Sequence, residues 1–205
     1  MLMESLKAGL GVIAHPGKET GKKMSIKEAL LAYYKFAIVP IALTILASIV
    51  VMLTLPGALA GVPVSSLVNG SMQLTLELYK QYLVSLVVTP LLIPIVLLVV
   101  AGMLHLVGKG LRLFNGSFAN TFAAVVYAEF SSLLFWFAVA LGAFGSIIYL
   151  IALVYGVYVL VVGLSKQHDT SMINAFVAGF VVFVILAVIL MAYASAYAAS
   201  LHAPA

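Results

Sequence analysis

The sequence predicts an all-α fold, a polytopic transmembrane bundle of five helices. Apolar residues make up 65% of the chain and charged residues only 8%, whereas soluble domains carry about 25% charged residues. Between Phe118 and Leu164 the only charged residue is Glu129. Because about 20 apolar helical residues cross a bilayer core, that stretch can cross twice. Apolar runs of this length without period-2 alternation are typical of membrane helices and exclude a β-barrel.

Apolar windows place the five spans along the chain. The first begins after Lys35, and the third and fourth share the long stretch, with Gly142 and Gly145 available for the turn between them. The expected spans are about 36–58, 82–107, 118–140, 145–164 and 173–199. We therefore divide the chain into a basic N-terminal segment, residues 1–28, and a five-helix transmembrane domain, residues 29–205.

The cationic side chains predict the orientation. Five alternating spans place the N-terminus and the loops near 108–116 and 165–171 on one side of the membrane. That side holds every Lys and Arg of the chain except Lys80. Since short cytoplasmic loops collect Lys and Arg, we expect a cytoplasmic N-terminus and a C-terminus outside. Lysines beside the apolar run Ala29–Tyr34 also favour a helix that lies on the membrane surface before the first span.

Glu129 is the main candidate for an intramembrane polar site. It comes 12 residues after Ser117, or roughly 18 Å along a helix at about 1.5 Å per residue. An acid within a membrane span is a candidate functional residue by default. We expect it to keep its proton and to donate a hydrogen bond. The depth count favours Tyr149 or Tyr155 in the fourth span as its partner.

Pro90 and Pro94 in the second span extend this candidate site. A proline inside a helix lacks the N–H that would bond the carbonyl four residues earlier, so Pro94 frees the carbonyl of Pro90. A protonated Glu129 could donate to that carbonyl, which would tie three spans together. The alternatives are a proton- or solute-handling role for Glu129, or its contact with a partner protein. The two prolines predict a static kink, with a transport hinge as the alternative.

A second candidate site lies at the basic end of the second span. His105, Lys109 and Arg112 follow one another there, and they suit an anionic lipid headgroup or an acidic partner. The alternative is that Lys109 and Arg112 only set the topology. Small residues in the fifth span, such as Ala192 and Ala196, favour close helix packing, within the chain or in a homo-oligomer.

Other chemistries have no support in the sequence. The chain contains no cysteine, which excludes disulfides and thiolate chemistry. No Ser–His–acid set or metal-ligand spacing is recognisable, so we expect no catalytic residues, no metal and no cofactor. The modest positive charge is explained by topology, and we expect no nucleic-acid partner. Membrane lipids are the expected partners, together with protein partners.

Three stretches of the chain carry a family resemblance. They are Val12–Pro16, Leu104–Ala128 with its LHL, NGSF and VVYA runs, and Val154–Ala175 with its YGVY run and Gly163-Leu164 exit. Together they resemble the Yip1 family of five-span membrane proteins. The resemblance implies a helical bundle with a cytoplasmic N-terminus. Eukaryotic members of the family bind prenylated Rab GTPases and act in vesicle traffic, and they have long cytoplasmic N-terminal regions.

The short N-terminal segment here, residues 1–28, favours a prokaryotic member in a plasma membrane over a Rab-binding one. We expect a non-enzymatic integral membrane protein that organises membrane or partner proteins, for instance as an accessory subunit of a larger complex. The alternative is a small transporter or channel component that uses Glu129 as a proton- or cation-responsive group.

Overall fold

The computed structural model of the protein describes residues 2–54 and 72–201. The elements in chain order are α1 (Leu2–Ala14), α2 (Pro16–Glu19), α3 (Ile26–Thr54), α4 (Met72–Gly110), α5 (Phe118–Leu134), a 3₁₀ helix (Trp136–Leu141), α6 (Gly142–Gln167) and α7 (Met172–Leu201). Five of the described helices contain segments long and apolar enough to cross a membrane: Ile26–Ile49, Val88–Gly110, Phe118–Ala138, Gly145–Gln167 and Met172–Ser195. The all-α, five-helix fold class is confirmed.

The first membrane helix begins earlier than the sequence predicts. Helix α3 starts at Ile26 and not near residue 36, because Ser25 and Glu28 form a capping box at its N-terminus. The Ser25 N–H donates to the Glu28 carboxylate at 2.8 Å, and the Glu28 N–H donates to Ser25 Oγ at 3.3 Å. The run Ala29–Tyr34 therefore forms the first turns of α3, and the expectation of a separate surface helix there was wrong.

Helix α5 is the central helix of the bundle. It packs against α3, α4 and α6, and Phe122, Ala123 and Val126 on it are fully buried. Its closest neighbour is α6, where two glycines let the backbones approach. A Cβ at Gly156 would lie 3.3 Å from the Ala128 carbonyl oxygen, and one at Gly163 would lie 3.2 Å from the Ala124 Cβ. Small residues thus allow the close packing of this helix pair, as is common in membranes.

Two short elements complete the packing around α5. The third span was predicted as one helix over 118–140, but the α-helix ends at Leu134 and the chain continues as the 3₁₀ helix. That 3₁₀ helix packs between α3 and α6. Helix α1 contacts both α3 and α5. The N-terminal segment is thus packed onto the bundle.

The N-terminal segment and two loops meet at one end of the bundle, which we call the loop end. The Gly116 N–H donates to His168 Nδ1 at 3.0 Å, which joins the α4–α5 loop to the α6–α7 loop. Gln167 Nε2 donates to the carbonyl of Lys22 at 2.7 Å, which adds the N-terminal segment. This is the side that five alternating spans bring together. The predicted end of the first span at residue 58, residues 59–71 of the loop predicted after it and the C-terminal residues 202–205 lie outside the described residues. Residues 72–81, predicted as part of that loop, form the start of α4.

Helix α7 is the most peripheral helix. It contacts α4 and α6 through its first half, where Ala175, Ala178 and Val182 are buried. From Val188 to Ser195 every described side chain is exposed. The second half of α7 therefore presents an apolar surface to its surroundings.

Candidate functional site

Glu129 lies on the buried central helix, as the twelfth of its 17 residues. Ser132 Oγ, one turn further along α5, donates to the Glu129 main-chain carbonyl at 3.0 Å. Tyr33 in α3 and Tyr149 in α6 lie within electrostatic range of that carboxylate. An acid, two phenols and a hydroxyl thus converge from three helices. Such groups can share or exchange a proton, or hold a small polar solute.

The carbonyl of Pro90 belongs to the same region, but its donor differs from the sequence prediction. Helix α4 continues through Pro90 and Pro94, and Tyr33 Oη donates to the freed carbonyl of Pro90 at 2.7 Å. The expectation that Glu129 supplies this hydrogen bond was wrong. Sequence reasoning missed Tyr33 because its reach across to α4 depends on the start of α3, which was placed ten residues too late.

The two tyrosines predicted as partners of Glu129 have different surroundings. Tyr149 lies near the acid, and its ring meets the Trp136 ring edge-on at 5.5 Å between centroids. Tyr155 instead donates from its hydroxyl to the carbonyl of Ile13 at 2.6 Å. Tyr155 therefore holds α1 to the bundle. The structure brings Glu129, Tyr149 and Pro90 into one region with Tyr33, and it places the hydroxyl of Tyr155 elsewhere.

A chain of hydrogen bonds at the loop end links two histidines through Thr121. His168 Nδ1 accepts the N–H of Gly116, so in the neutral ring the proton is on Nε2. That Nε2–H donates to Thr121 Oγ1 at 2.9 Å, and the Thr121 hydroxyl then donates to His105 Nδ1, also at 2.9 Å. Because its Nδ1 accepts this hydrogen bond, a neutral His105 carries its proton on Nε2. His105 thus tethers α4 to α5, and its second nitrogen remains a donor.

His168 is held as a neutral ring. It is 1% exposed and stacks on Phe114, with centroids 4.2 Å apart and planes 10° apart. Burial lowers the pKa of His168 to about 4, and the positive charge of Lys109 contributes to the lowering. A neutral imidazole is also what the hydrogen bond from Gly116 requires. Sequence reasoning missed His168 because it lies 47 residues from Thr121 and joins it only when the loops meet.

Lys109 and Arg112, the cationic members of the predicted lipid or partner site, lie at the exposed end of α4. Lys109 Nζ donates to the carbonyl of Asn115 at 3.3 Å. Arg112 has a φ of 59° and forms a Schellman turn, in which the Leu113 N–H donates to the Gly108 carbonyl at 2.8 Å. The cations thus border the loop, while His105 points inward to Thr121.

Gln167 and Asn120 complete the polar network at the loop end. Asn120 Nδ2 donates to the Gln167 main-chain carbonyl at 2.9 Å. The side chain of Gln167 donates to the carbonyls of Thr20 and Lys22 at 2.6 and 2.7 Å. Every acceptor in these three bonds is a main-chain carbonyl. The network therefore fixes the path of the chain, and it includes no group of three or more His, Cys, Asp or Glu that could hold a metal within the described residues.

Comparison with known families gives one match. Residues 10–194 match the family model of the Yip1 domain. The match spans all five membrane segments and both polar regions described above. No curated protein and no solved structure matches the chain.

Proposed function

The chain belongs to the Yip1 family, and from this premise we propose that it organises membrane or partner proteins as an accessory subunit of a larger membrane complex. It is an integral membrane protein, with five described helices that can span a bilayer. The family is not known as enzymatic, and we propose a non-enzymatic role. We place the protein in a prokaryotic plasma membrane, with the loop end in the cytoplasm because it carries the clustered cations.

The observation that carries this proposal is the exposed apolar surface in the second half of α7. Its exposed side chains include Leu190, Met191, Tyr193 and Tyr197, which are 57–70% exposed. Tyr193 and Tyr197 stack with centroids 6.5 Å apart and form a continuous aromatic face. Ala192 lies beside that face and is small enough to let another helix approach. This surface supports contact with a partner helix, from another protein or from a second copy.

The internal use of polar side chains also supports an organising role. Tyr33, Tyr155 and Gln167 direct their donors to main-chain carbonyls of neighbouring elements. These bonds hold the bundle in one arrangement. A cross-linked bundle with an exposed apolar helix surface suits a subunit that presents a surface to others.

Purification in mild detergent, followed by native mass spectrometry, tests the proposal. We expect a partner protein or a second copy to remain bound to the parent chain. Ala192→Trp should release it, because a large ring blocks close approach of a helix. Ile147→Trp is the matched control, since Ile147 is likewise exposed, at 60%, but on α6. A parent chain that is always monomeric and free of partner proteins would contradict the proposal.

The convergence at Glu129 favours one alternative function, a small transporter or channel component. Tyr33 on α3 and Tyr149 on α6 lie within electrostatic range of the acid, and Ser132 lies one turn away on α5 itself. These are polar groups of the kind that a proton or small cation needs. The test is pH-dependent flux into liposomes that contain the purified protein. Glu129→Gln should abolish that flux, and Glu19→Gln should leave it unchanged because Glu19 lies outside the spans and pairs with Lys22. Absence of flux in the parent protein would eliminate this alternative.

A further inference from the structure

Helix α1 is amphipathic and packs on the outside of the bundle. Gly9 and Val12 face inward and are buried, whereas Lys7, Leu10 and Ala14 are exposed. Gly9 is so close to the Phe36 ring that an added Cβ would lie 2.2 Å from it. The exposed face therefore combines a cation with apolar side chains. That composition is typical of helices that lie in the interface of a membrane.

The contacts of α1 give its position along the bundle axis, which we call its height and measure from the loop end. Phe36 lies ten residues into α3, or about 15 Å from its start, and its ring lies 4.5 Å from that of Phe130. Tyr155, which bonds Ile13, lies 12 residues before the end of α6, or about 18 Å from it. Both contacts thus fall at a similar height. Helix α1 therefore crosses the side of the bundle at this height and does not hang below the loop end.

The exposed face of α3 changes character at the same height. Below it, the charged side chains of Lys27 and Glu28 are exposed beside Leu31. Above it, Ile38 and Leu46 are 54% and 58% exposed, and Lys35 is the last charge of α3. A change from charged to apolar exposed side chains marks the boundary between water and lipid on this side of the bundle.

Tyrosines gather at this boundary. Tyr34 and Tyr158 are 40% and 49% exposed, on α3 and α6 respectively. Tyrosine is enriched where a membrane meets water, since its ring is apolar and its hydroxyl is polar. On the opposite side, α4 and α7 expose apolar side chains nearer the loop end, at Leu106 and Ile173. The boundary between water and lipid therefore lies at a different height on each side of the bundle. A tilt of about 20°, the usual value for membrane helices, accommodates this difference.

From these contacts we propose that α1 is a membrane-surface helix whose outer face binds the headgroup layer of an anionic bilayer. Leu10 enters the boundary of the acyl chains, and the ammonium groups of Lys7 and Lys35 reach the lipid phosphates. Lys7 supplies the charge complementarity, as polybasic segments do at anionic leaflets. The five spans cross the membrane, while α1 lies along it and sets the height and tilt of the bundle.

Spin-label depth measurements test this placement, and the chain suits them because it contains no cysteine. Leu10→Cys and Ala14→Cys place a nitroxide on the outer face of α1. Lys23→Cys is the water standard and Leu46→Cys the hydrocarbon standard, and all four positions are exposed, so the label should not disturb packing. The full-length protein is placed in vesicles of phosphatidylcholine and phosphatidylglycerol. Power saturation with oxygen and with a water-soluble nickel chelate then gives the depth of each label.

We expect both α1 labels to fall between the two standards, just below the phosphate level. Labels as accessible to the nickel chelate as Lys23→Cys would place α1 in water and overturn the proposal. Labels as inaccessible as Leu46→Cys would place α1 within the hydrocarbon and overturn it as well. Vesicles of phosphatidylcholine alone should shift both labels toward the water standard, because the attraction of Lys7 and Lys35 to anionic headgroups is lost. An unchanged depth would contradict the assigned role of these lysines.

Discussion

Tyr33 in α3 donates a hydrogen bond to the main-chain carbonyl of Pro90 in α4, across 2.7 Å. Pro94 leaves that carbonyl without its helical donor, so Tyr33→Phe exposes an unsatisfied acceptor inside the bundle. We expect a loss of about 1 kcal/mol in the free energy of unfolding, the usual scale for interhelical hydrogen bonds in membranes. Titration of the folded protein with dodecyl sulfate in mixed detergent micelles measures this change in the free energy of unfolding.

Tyr34→Phe is the matched control for that substitution. The Tyr34 hydroxyl reaches the Leu91 carbonyl only at 3.4 Å and is exposed, so its loss should change stability by less than the loss of the Tyr33 hydroxyl. Equal effects of the two substitutions would show that the Pro90 carbonyl does not depend on Tyr33.

Gly116 lies where the two loops meet, and it leaves no room for a side chain. A Cβ there would lie 2.5 Å from Asn120 Nδ2 and 2.7 Å from His168 Nδ1. We expect Gly116→Ala to destabilise the protein by about 2 kcal/mol, within the range for overpacking. Gly110→Ala is the control, since nothing lies within 4 Å of the position of its Cβ. Thermal unfolding in detergent measures the stability of both variants. A Gly116→Ala variant as stable as Gly110→Ala would refute the close loop contact.

His168 should make stability depend on pH. Its pKa in the folded protein is about 4, below about 6.5 for an unfolded histidine, so the unfolded chain binds more protons between these values. The stabilisation is therefore complete above pH 6.5 and is lost as the pH falls toward 4, by an amount on the order of 1–3 kcal/mol.

His168→Asn isolates this effect, because Asn does not titrate and its oxygen can still accept the Gly116 N–H. We expect stability measured at several pH values to fall less steeply in this variant than in the parent. His15→Asn is the control, since His15 is exposed. A parent and a His168→Asn variant with parallel pH profiles would argue against a depressed pKa at His168.

Gln167 should hold the N-terminal segment to the bundle. Gln167→Leu keeps the size of the side chain but removes the donors to the Thr20 and Lys22 carbonyls. With about 1 kcal/mol for each of the two hydrogen bonds, local opening should increase and trypsin should cleave after Lys22 or Lys23 roughly thirtyfold faster. Lys166→Gln, an exposed neighbour, should cleave at the parent rate. Gel analysis of timed digests gives the rates, and equal rates for Gln167→Leu and the parent would disprove the tether.

Much of the fold follows from the pattern of apolar and charged residues. The near absence of charge from Phe118 to Leu164 predicts two crossings there, and the structure has α5 and α6 in that place. The end of α5 at Leu134 was not predictable, because the residues after it are as apolar as those before it. The start of α3 was misplaced because Lys35 was taken as the boundary, while the capping box at Ser25 and Glu28 begins the helix earlier.

The candidate site was predicted only in part for a related reason. Depth along a helix can be counted from the sequence, and this count favoured Tyr149 or Tyr155 as the partner of Glu129. Which face a side chain occupies relative to three neighbouring helices cannot be counted in the same way. Tyr155 shares the depth of Glu129 but turns to α1, and Tyr33 reaches Pro90 from a helix whose register was unknown.

The sequence by itself determined that this chain is a five-span helical membrane protein, because hydrocarbon excludes charge and requires each backbone group to bond within its own helix. Only the tertiary structure decided that Tyr33 donates a hydrogen bond to the Pro90 carbonyl, that Thr121 links two histidines and that α1 packs against Phe36. These contacts join residues distant in sequence through the rotation and register of packed helices. Hydrophobicity is nearly uniform around such helices, so it carries little information about either quantity.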